Sequence, residues 1–299
     1  MSDWQLEEMV EALDGSPDYR VLRRYRRPER YHFPAEGDEE PKIGLFIDLE
    51  TTGLRVDADR IIELGLVPFE FSSDGRLFRV LEDYDELEDP GRPIPAEVVD
   101  LTGITDEMVR GHAIDDARVE AMVESAAIVI AHNAVFDRKF AEARWPIFEK
   151  KAWACSLQDI PWRGEGFEAT KLEYLAYRFG FFYNGHRAVS DCLAGIELLS
   201  RHLPRSGAPA MRVLLDRARK SSFRIFAENA PFEAKDTLRG RGYRWNTGGP
   251  GQPRCWFRDI SPERLEDEVG YLRNNVYRDL SANPTTKKIT AFERYSTRA

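Results

Sequence analysis

The chain reads as an α/β protein followed by a smaller α+β unit, and three observations predict this. Apolar runs of strand length, IGLFIDLE (43–50), RIIELGLVPFEF (60–71) and AAIVIA (126–131), alternate with stretches of helical period such as AVFDRKFAEA (134–143) and KLEYLAYRFG (171–180). A Pro/Gly/Ser connector, RHLPRSGAPA (201–210), ends that order. Beyond it the elements shorten and the charge balance changes sign.

In chain order, residues 3–13 predict a short amphipathic helix. DYRVLRRYRRPERYHF (18–33) places six arginines between Arg20 and Arg30, with tyrosines among them. Such a segment can grip phosphates while its rings stack on bases. It can also be a solvated extension packing Val21, Leu22 and Tyr25 on the main domain, and packing is the preferred expectation. AEGDEEPK (35–42) is an acidic linker. RIIELGLVPFEF and RLFRVLEDY (76–84) read as strands joined by Ser-Ser-Asp-Gly, a hairpin signal. Residues 84–97 read as a Pro- and acid-rich loop, and DEMVRG (106–111) and DDARVEAMVES (115–125) as helices.

After the connector, RVLLDRARKS (212–221) is helical and FRIFAEN (223–229) strand-like. PFEAKDTLRGRGYRW (231–245) reads as a helix with a turn, CWFRDI (255–260) as a strand, and SPERLEDEVGYLRNNVY (261–277) as a capped helix. ITAFERYSTR (289–298) is compatible with a tail across the domain or with a substrate contact. The expected organisation is an extension and linker over 1–41, a main domain over 42–203, and a basic, aromatic-rich domain over 211–299.

Five residues carry the chemistry: Asp48 and Glu50 in FIDLETTGL, Asp137 in HNAVFDRKF, and His186 with Asp191 in HRAVSD. Alternate strand residues share a face, so Asp48 and Glu50 emerge side by side where Thr51, Thr52 and Gly53 turn the chain. Asn133 is a helix N-cap candidate, which places Asp137 in the first turns of a helix beginning near a strand end. Five residues separate His186 from Asp191, about 140° on a helix. His186 therefore belongs to the loop after Asn184-Gly185, and Asp191 to a helix running to about Leu203.

Each signal alone is weak. Asp38-Glu39-Glu40 repeats the D-x-E spacing in a solvated linker, Asp137 could pair with Lys139 or Arg138, and a lone histidine is more often a surface or satisfied core residue. Together they suit two-metal phosphodiester hydrolysis. Clustered carboxylates repel without cations, and two divalent ions about 3.5–4 Å apart can activate a water and stabilise the leaving oxygen. A hard ion such as Mg²⁺ prefers carboxylate and water oxygens. A histidine, ordinarily with a pKa of about 6.5, can take the water's proton near neutral pH.

FIDLETTGL, HNAVFD and HRAVSD resemble the three exonuclease motifs of the DnaQ-like DEDDh 3′→5′ exonucleases, and LTGIT (101–105) and WACSL (153–157) are similar to two further segments usual there. The likeness covers about residues 42–203. It implies a ribonuclease H-like mixed sheet flanked by helices and two divalent cations, Mg²⁺ or Mn²⁺. By that resemblance Asp48 would bridge both ions, Glu50 and Asp191 would complete the set around the first ion, Asp137 would hold the second ion, and His186 would be the general base. Thr51, Thr52 and Leu54 would line the terminal-nucleotide pocket, with Asn133 and Phe136 near the sugar or base. A pure turn role for Thr51, Thr52 and Gly53, and a core role for Phe136 beside Phe140, stay open.

The family includes DNases, RNases and proofreading subunits. The expected partner is nucleic acid, single-stranded or at a 3′ end, with DNA preferred to RNA, and a polymerase or repair partner is compatible. A ribonuclease of the same fold and a non-catalytic, polymerase-associated subunit are the alternatives.

With 42% apolar residues over 299 positions, the chain can build a sizeable core. No apolar run reaches the roughly 18 residues of a membrane helix, and MSDWQLEEMVEA lacks the pattern of a signal peptide. Cys155, Cys192 and Cys255 match no metal spacing, so a reduced, cytoplasmic protein is expected. The net charge of −9 conceals a split. Residues 1–200 hold 23 Lys/Arg against 41 Asp/Glu, and residues 201–299 hold 20 against 11, giving −18 and +9. Such asymmetry suggests that the second part meets a polyanion. Between Arg212 and Arg258 eleven basic and four acidic residues are interleaved with Phe223, Phe226, Phe232, Tyr243, Trp245, Trp256 and Phe257. At least half of these rings are expected to form that domain's core.

Overall fold

A computed structural model describes residues 3–35, 37, 39–248 and 253–299. Met1, Ser2, Glu36 and Asp38 of the expected linker, and residues 249–252 lie outside the described residues, so the Asp38 repeat of the D-x-E spacing is not placed. The chain divides into two compact units, Met1–Arg217 and Ala218–Ala299.

The first unit opens with α1 (Asp3–Asp14) and the two-residue β1 (Arg23–Arg24). It continues through β2 (Lys42–Thr51), β3 (Ile61–Phe71), β4 (Leu77–Val80), β5 (Tyr84–Leu87), α2 (Ala96–Thr102), α3 (Asp106–Val109) and α4 (Asp116–Ser125). Then come β6 (Ile128–Ala131), α5 (Ala134–Arg144), β7 (Trp153–Cys155), α6 (Leu172–Arg178), β8 (Phe181–Phe182), α7 (Ala188–Ser200) and α8 (Ala210–Arg219), near whose end the second unit begins. The mixed sheet has the order β4-β3-β2-β6-β7, with β5 also on β3. β2 runs antiparallel to β3 and parallel to β6.

The sheet is buried through Leu45, Phe46, Ile47, Leu64, Leu66, Val67, Phe69, Val129 and Ile130. Fully burying each such aliphatic or aromatic side chain contributes about 1.5–3 kcal/mol. α7 lies directly on it. A Cβ at Gly65 would stand 2.5 Å from the backbone carbon of Ala188, and one at Gly195 would stand 2.2 Å from the Phe46 ring. These two glycines let the helix backbone approach the sheet, and Cys192 fills the same seam, its Sγ 3.6 Å from the Gly65 carbonyl.

Three expectations need correction. RLFRVLEDY is not one strand but β4 and the beginning of β5, with a break at 81–83. Opposite the break β3 carries Pro68, whose carbonyl accepts from the Leu81 N–H but which has no N–H to return. The supposed loop over 84–97 accordingly begins with a strand, Tyr84–Leu87, paired to β3. α7 stops at Ser200 rather than near Leu203, because Arg201 turns extended and Leu203 N–H instead closes a loop onto the Ala208 carbonyl.

The second unit contains β9 (Ser222–Ala227), α9 (Lys235–Gly240), β10 (Arg244–Trp245), β11 (Trp256–Ile260), α10 (Leu265–Tyr271) with a π-helical continuation over Leu272–Tyr277, and β12 (Thr286–Ile289). Its strands form an antiparallel sheet in the order β10-β11-β9-β12. β12 was not foreseen, since TKKI alternates no apolar face strongly enough to announce a strand. Ile225, Leu238, Tyr243, Ile260, Leu272 and Val276 form the core. Glu268, 1% exposed, is held by Arg241 at 2.9 Å, Arg258 at 3.1 Å and the Tyr243 hydroxyl at 3.0 Å. Burial pushes its carboxyl up, but these donors outweigh burial and leave it below its ordinary value.

Gly65→Ala should destabilise the protein by about 1–3 kcal/mol, because a methyl there meets backbone, which cannot rotate away. Urea unfolding measures this directly. A midpoint equal to the parent's would mean that α7 can retreat without loss.

Candidate active site

The site begins at the end of β2. Asp48 and Glu50 project from one face, and their cross-strand neighbours on β3 are Gly65 and Glu63. Because Gly65 has no side chain, the space beyond Asp48 is open to the start of α7, which brings Asp191. A bulge between Glu50 and Thr51, with Ile62 as the extra residue on β3, bends the ladder at this point. Carboxylate oxygens of Asp48, Glu50 and Asp191 lie within 4.8 Å of one another.

Asp137, in the first turn of α5, is 2% exposed. It is not one of the three converging carboxylates, but it is the largest Coulombic neighbour of Asp48. His186 precedes α7 in a loop and takes a left-handed backbone conformation, φ 60°. Its side chain is 46% exposed, with Nε2 3.5 Å from Glu173 Oε1 on α6.

Burial is the main cause of the site's electrostatic tension. It pushes Asp48 well above the ordinary carboxylate range, and Asp137, Asp191, Glu50 and Glu63 add repulsion. Burial, Asp191 and Glu63 push Glu50 to about 8, against the opposing charge of Arg187. Asp137 also rises to about 8 through burial, although backbone hydrogen bonds at Asp137 and Leu49 pull it back. Asp191 is raised by burial against donors from the Tyr183 hydroxyl at 2.8 Å and the Arg187 N–H at 3.2 Å. An all-oxygen donor set, converging and crowded with like charge, fits a hard divalent cation.

The remaining sequence-derived positions differ from one another. Thr51 is buried and donates to the Gly53 carbonyl at 2.5 Å. The Thr52 hydroxyl meets Asp59, the Arg60 N–H and Arg92, which fills its hydrogen-bonding capacity and makes it a tie for the 52–60 loop. Leu54 is 83% exposed beside the strand end. Asn133 occupies the N-cap position of α5 without a side-chain capping bond. Phe136 is half-buried, its ring 5.1 Å from that of Phe140.

Two supporting residues escaped the sequence. Glu63, fully buried, accepts from the Arg187 guanidinium at 2.7 Å and from the Ala188 N–H at 2.8 Å, pinning the start of α7 to the sheet. The signal was an acid among apolar residues inside the strand, away from the end where Glu70 pairs with Arg79. Tyr183 orients Asp191 and left no pattern at all. By contrast His132 is a satisfied core histidine: Ser156 and the Thr170 carbonyl hold its two nitrogens at 2.8 Å each, and burial pushes it down to about 4.

Residues 45–199 match the RNase_T family, described as exonuclease. The DNA polymerase III subunit epsilon of Treponema pallidum is 28% identical over 199 residues, 58% of this chain and 88% of that one. The PolC-type DNA polymerase III of Listeria innocua is 32% identical over 154 residues, 49% of this chain. The chain spans only 10% of the length of that polymerase. Among solved structures, a zinc-bound complex of E. coli exonuclease I with single-stranded DNA superposes with a TM-score of 0.50 at 16% identity, covering 78% of this chain and 71% of that one. It shares the fold. Among the described residues no helix is long and apolar enough to cross a membrane.

The raised carboxyls bind protons more tightly in the folded than in the unfolded chain. Without metal, the stability they permit is complete below their unfolded pKa of about 4 and is lost as the pH rises through about 8. In EDTA the Tm should therefore fall between pH 6 and 8.5, the fall should be smaller in Asp48→Asn, and Mg²⁺ should oppose it. Thermal melts across pH check this, and a profile shared by parent and Asp48→Asn would remove carboxylate crowding as the governing feature.

Proposed function

As a member of the RNase_T exonuclease family, that of the DnaQ-like 3′→5′ exonucleases, the chain hydrolyses phosphodiester bonds, and we propose that its substrate is a DNA 3′ end from which it releases nucleoside 5′-monophosphates in proofreading, repair or turnover. The observation that carries this reading is the convergence of Asp48, Glu50 and Asp191 at the end of one strand, with buried Asp137 behind them. The names of the relatives, both DNA polymerase III proteins, support DNA over RNA and a polymerase as a partner.

In this reading Asp48, Glu50 and Asp191 would hold one divalent cation, Mg²⁺ or Mn²⁺, and Asp137 would help to hold a second. When bound, such a pair neutralises phosphoryl charge and makes water a nucleophile at neutral pH. The half-exposed His186 takes the proton from the attacking water, and Glu173 steadies its ring. Tyr183 and the Arg187 N–H fix the Asp191 oxygens. The backbone near Thr51 meets the terminal hydroxyl, and Leu54 and Phe136 lie against the terminal nucleotide.

The second unit is proposed to hold substrate. Trp245 and Phe232 are 49% and 75% exposed, whereas Tyr243 and Phe226 belong to the interior. Trp245 stands edge-on to Trp256 at 5.5 Å, and Lys235 lies over Phe232. Exposed rings among cations suit stacking on single-stranded bases.

A 5′-labelled single-stranded DNA oligonucleotide incubated with Mg²⁺ should shrink one nucleotide at a time, and Asp48→Ala should abolish the ladder. Intact DNA beside degraded RNA of the same sequence would transfer the reading to a ribonuclease. His186→Ala should lower kcat by about 10²–10⁴ with little change in KM, as loss of a proton acceptor requires. A defect confined to KM would remove that role. Trp245→Ala should weaken DNA binding by about 1–3 kcal/mol if a base stacks there, measured by fluorescence anisotropy.

A further inference from the structure

The arginine-rich segment before β2 is packed and charged at once. β1 pairs in parallel with β8, the Arg23 and Tyr25 N–H groups donating to the Gly180 and Phe182 carbonyls at 3.0 and 2.8 Å. Tyr25 packs on Phe181, its hydroxyl 3.3 Å from that of Tyr31, and the Tyr31 N–H donates to the Phe78 carbonyl at 2.8 Å. These rings are turned to the protein, so the arginines are what the segment presents outward.

Two of the six are ion-paired: Arg23 with Asp14 at 3.2 Å, and Arg27 with Asp83. Arg20, Arg24, Arg26 and Arg30 meet no carboxylate at ion-pair distance among the described residues. Arg20 donates to the Tyr177 and Arg178 carbonyls at 2.9 and 2.6 Å and lies over the Tyr177 ring. Arg24 reaches Asn184 Oδ1 at 3.4 Å and lies over the Phe182 ring. Arg30 lies over Phe33. The guanidinium groups of Arg20 and Arg24 are thus held in place by neutral partners while their charge stays available. This occurs in a part of the chain with a net charge of −18 over residues 1–200.

The position is as telling as the charge. Asn184, which Arg24 touches, lies two residues before His186. From there the cations continue toward the far end of α7, where Arg26, Arg30, His32 and Ser200 line a groove in which Glu197 is already engaged by Arg201. From Asp191 to Arg201 is ten helical residues, about 15 Å, the span of about four stacked nucleotides at about 3.4 Å each.

We propose that the Arg20–Arg30 strap is a track for the phosphate backbone of the strand whose 3′ end occupies the carboxylate site. This rests on the exonuclease reading and adds to it a grip on nucleotides upstream of the scissile bond, by charge alone and without sequence preference.

The test uses the full chain and Arg24→Gln/Arg26→Gln/Arg30→Gln, which leaves the packed tyrosines intact. Binding of a labelled dT12 in EDTA is followed across KCl concentration, and kcat/KM with Mg²⁺ is compared for dT12 and for the 4-nitrophenyl ester of thymidine 5′-monophosphate, which occupies only the carboxylate site. With three phosphate-neutralising cations removed, the slope of log K against log salt should flatten by about 2, and the ratio of kcat/KM on dT12 to that on the ester should fall up to about 100-fold at 0.1 M salt. Arg→Lys at the same three positions should restore the slope. An unchanged slope and ratio would overturn the track, as would equal losses on both substrates, which would mark the strap as a mere support. Preference of the strap for phosphatidylserine vesicles over dT12 would also overturn it. A parent that binds dT12 with the strap-dependent slope but cleaves neither substrate would uphold the track and sink the exonuclease reading instead.

Discussion

Everything at the carboxylate site depends on how closely α7 lies on the sheet. Asp48 and Glu50 are fixed by β2, but Asp191 reaches them only because the helix backbone touches β3 at Gly65 and the Phe46 ring at Gly195. Like charges at this distance push apart, and a loosely packed helix would give way first. The glycine contacts remove the room into which it could move, since interiors close-packed against backbone yield little. Packing therefore holds the acids together before any cation offsets their repulsion.

The same helix start resolves a second conflict. Glu63 lies opposite Glu50 on the ladder and adds its repulsion to Glu50 and Asp48. Its hydrogen bonds from the Arg187 guanidinium and the Ala188 N–H hold it in place and make it the clamp that sets where α7 begins. That clamp also fixes the chain direction immediately after His186, whose left-handed backbone is uncommon for a residue with a side chain. Strained loop, clamp and Asp191 form one continuous device over 186–191. With Glu63 buried but Arg187 40% exposed, this pair is weak support for stability and is better understood as a means of position.

The alternation in IGLFIDLE was enough to place two acids side by side, because strand geometry is local and period two is unambiguous. The strands β2, β3 and β6 were legible as apolar runs of strand length, whereas β5 and the three-residue β7 were not. What escaped depends on partners distant in sequence. The break before Tyr84 follows from a proline in the neighbouring strand, and β12 becomes a strand only because β9 offers it an edge. The hydrogen bonds of the Thr52 hydroxyl with Asp59, the Arg60 N–H and Arg92 likewise join partners that the local sequence does not connect. Glu63 could have been suspected from its apolar surroundings, but nothing in the sequence points to Arg187 as its partner.

The arginines make the corresponding distinction among cations. In an acidic chain the ordinary fate of a guanidinium is to meet a carboxylate, and many here do. Arg138 is buried against Glu142, the partly exposed Arg187 pairs with buried Glu63, and Arg241 and Arg258 share Glu268. Even Arg224 and Arg244, on the two strands that flank β11 in the second unit, converge on its Asp259. Sequence counts alone therefore overstate how much positive charge the second unit can offer a polyanion, because part of its excess is consumed internally. They understate the first unit, where a strongly negative total hides a strap of arginines bound to carbonyls, an amide and aromatic rings. For recognition of a phosphate backbone, what matters is whether a cation has already been neutralised at home: Arg187, beside the carboxylates, has been, whereas Arg20 and Arg24 of the strap are held by carbonyls and an amide and keep their charge.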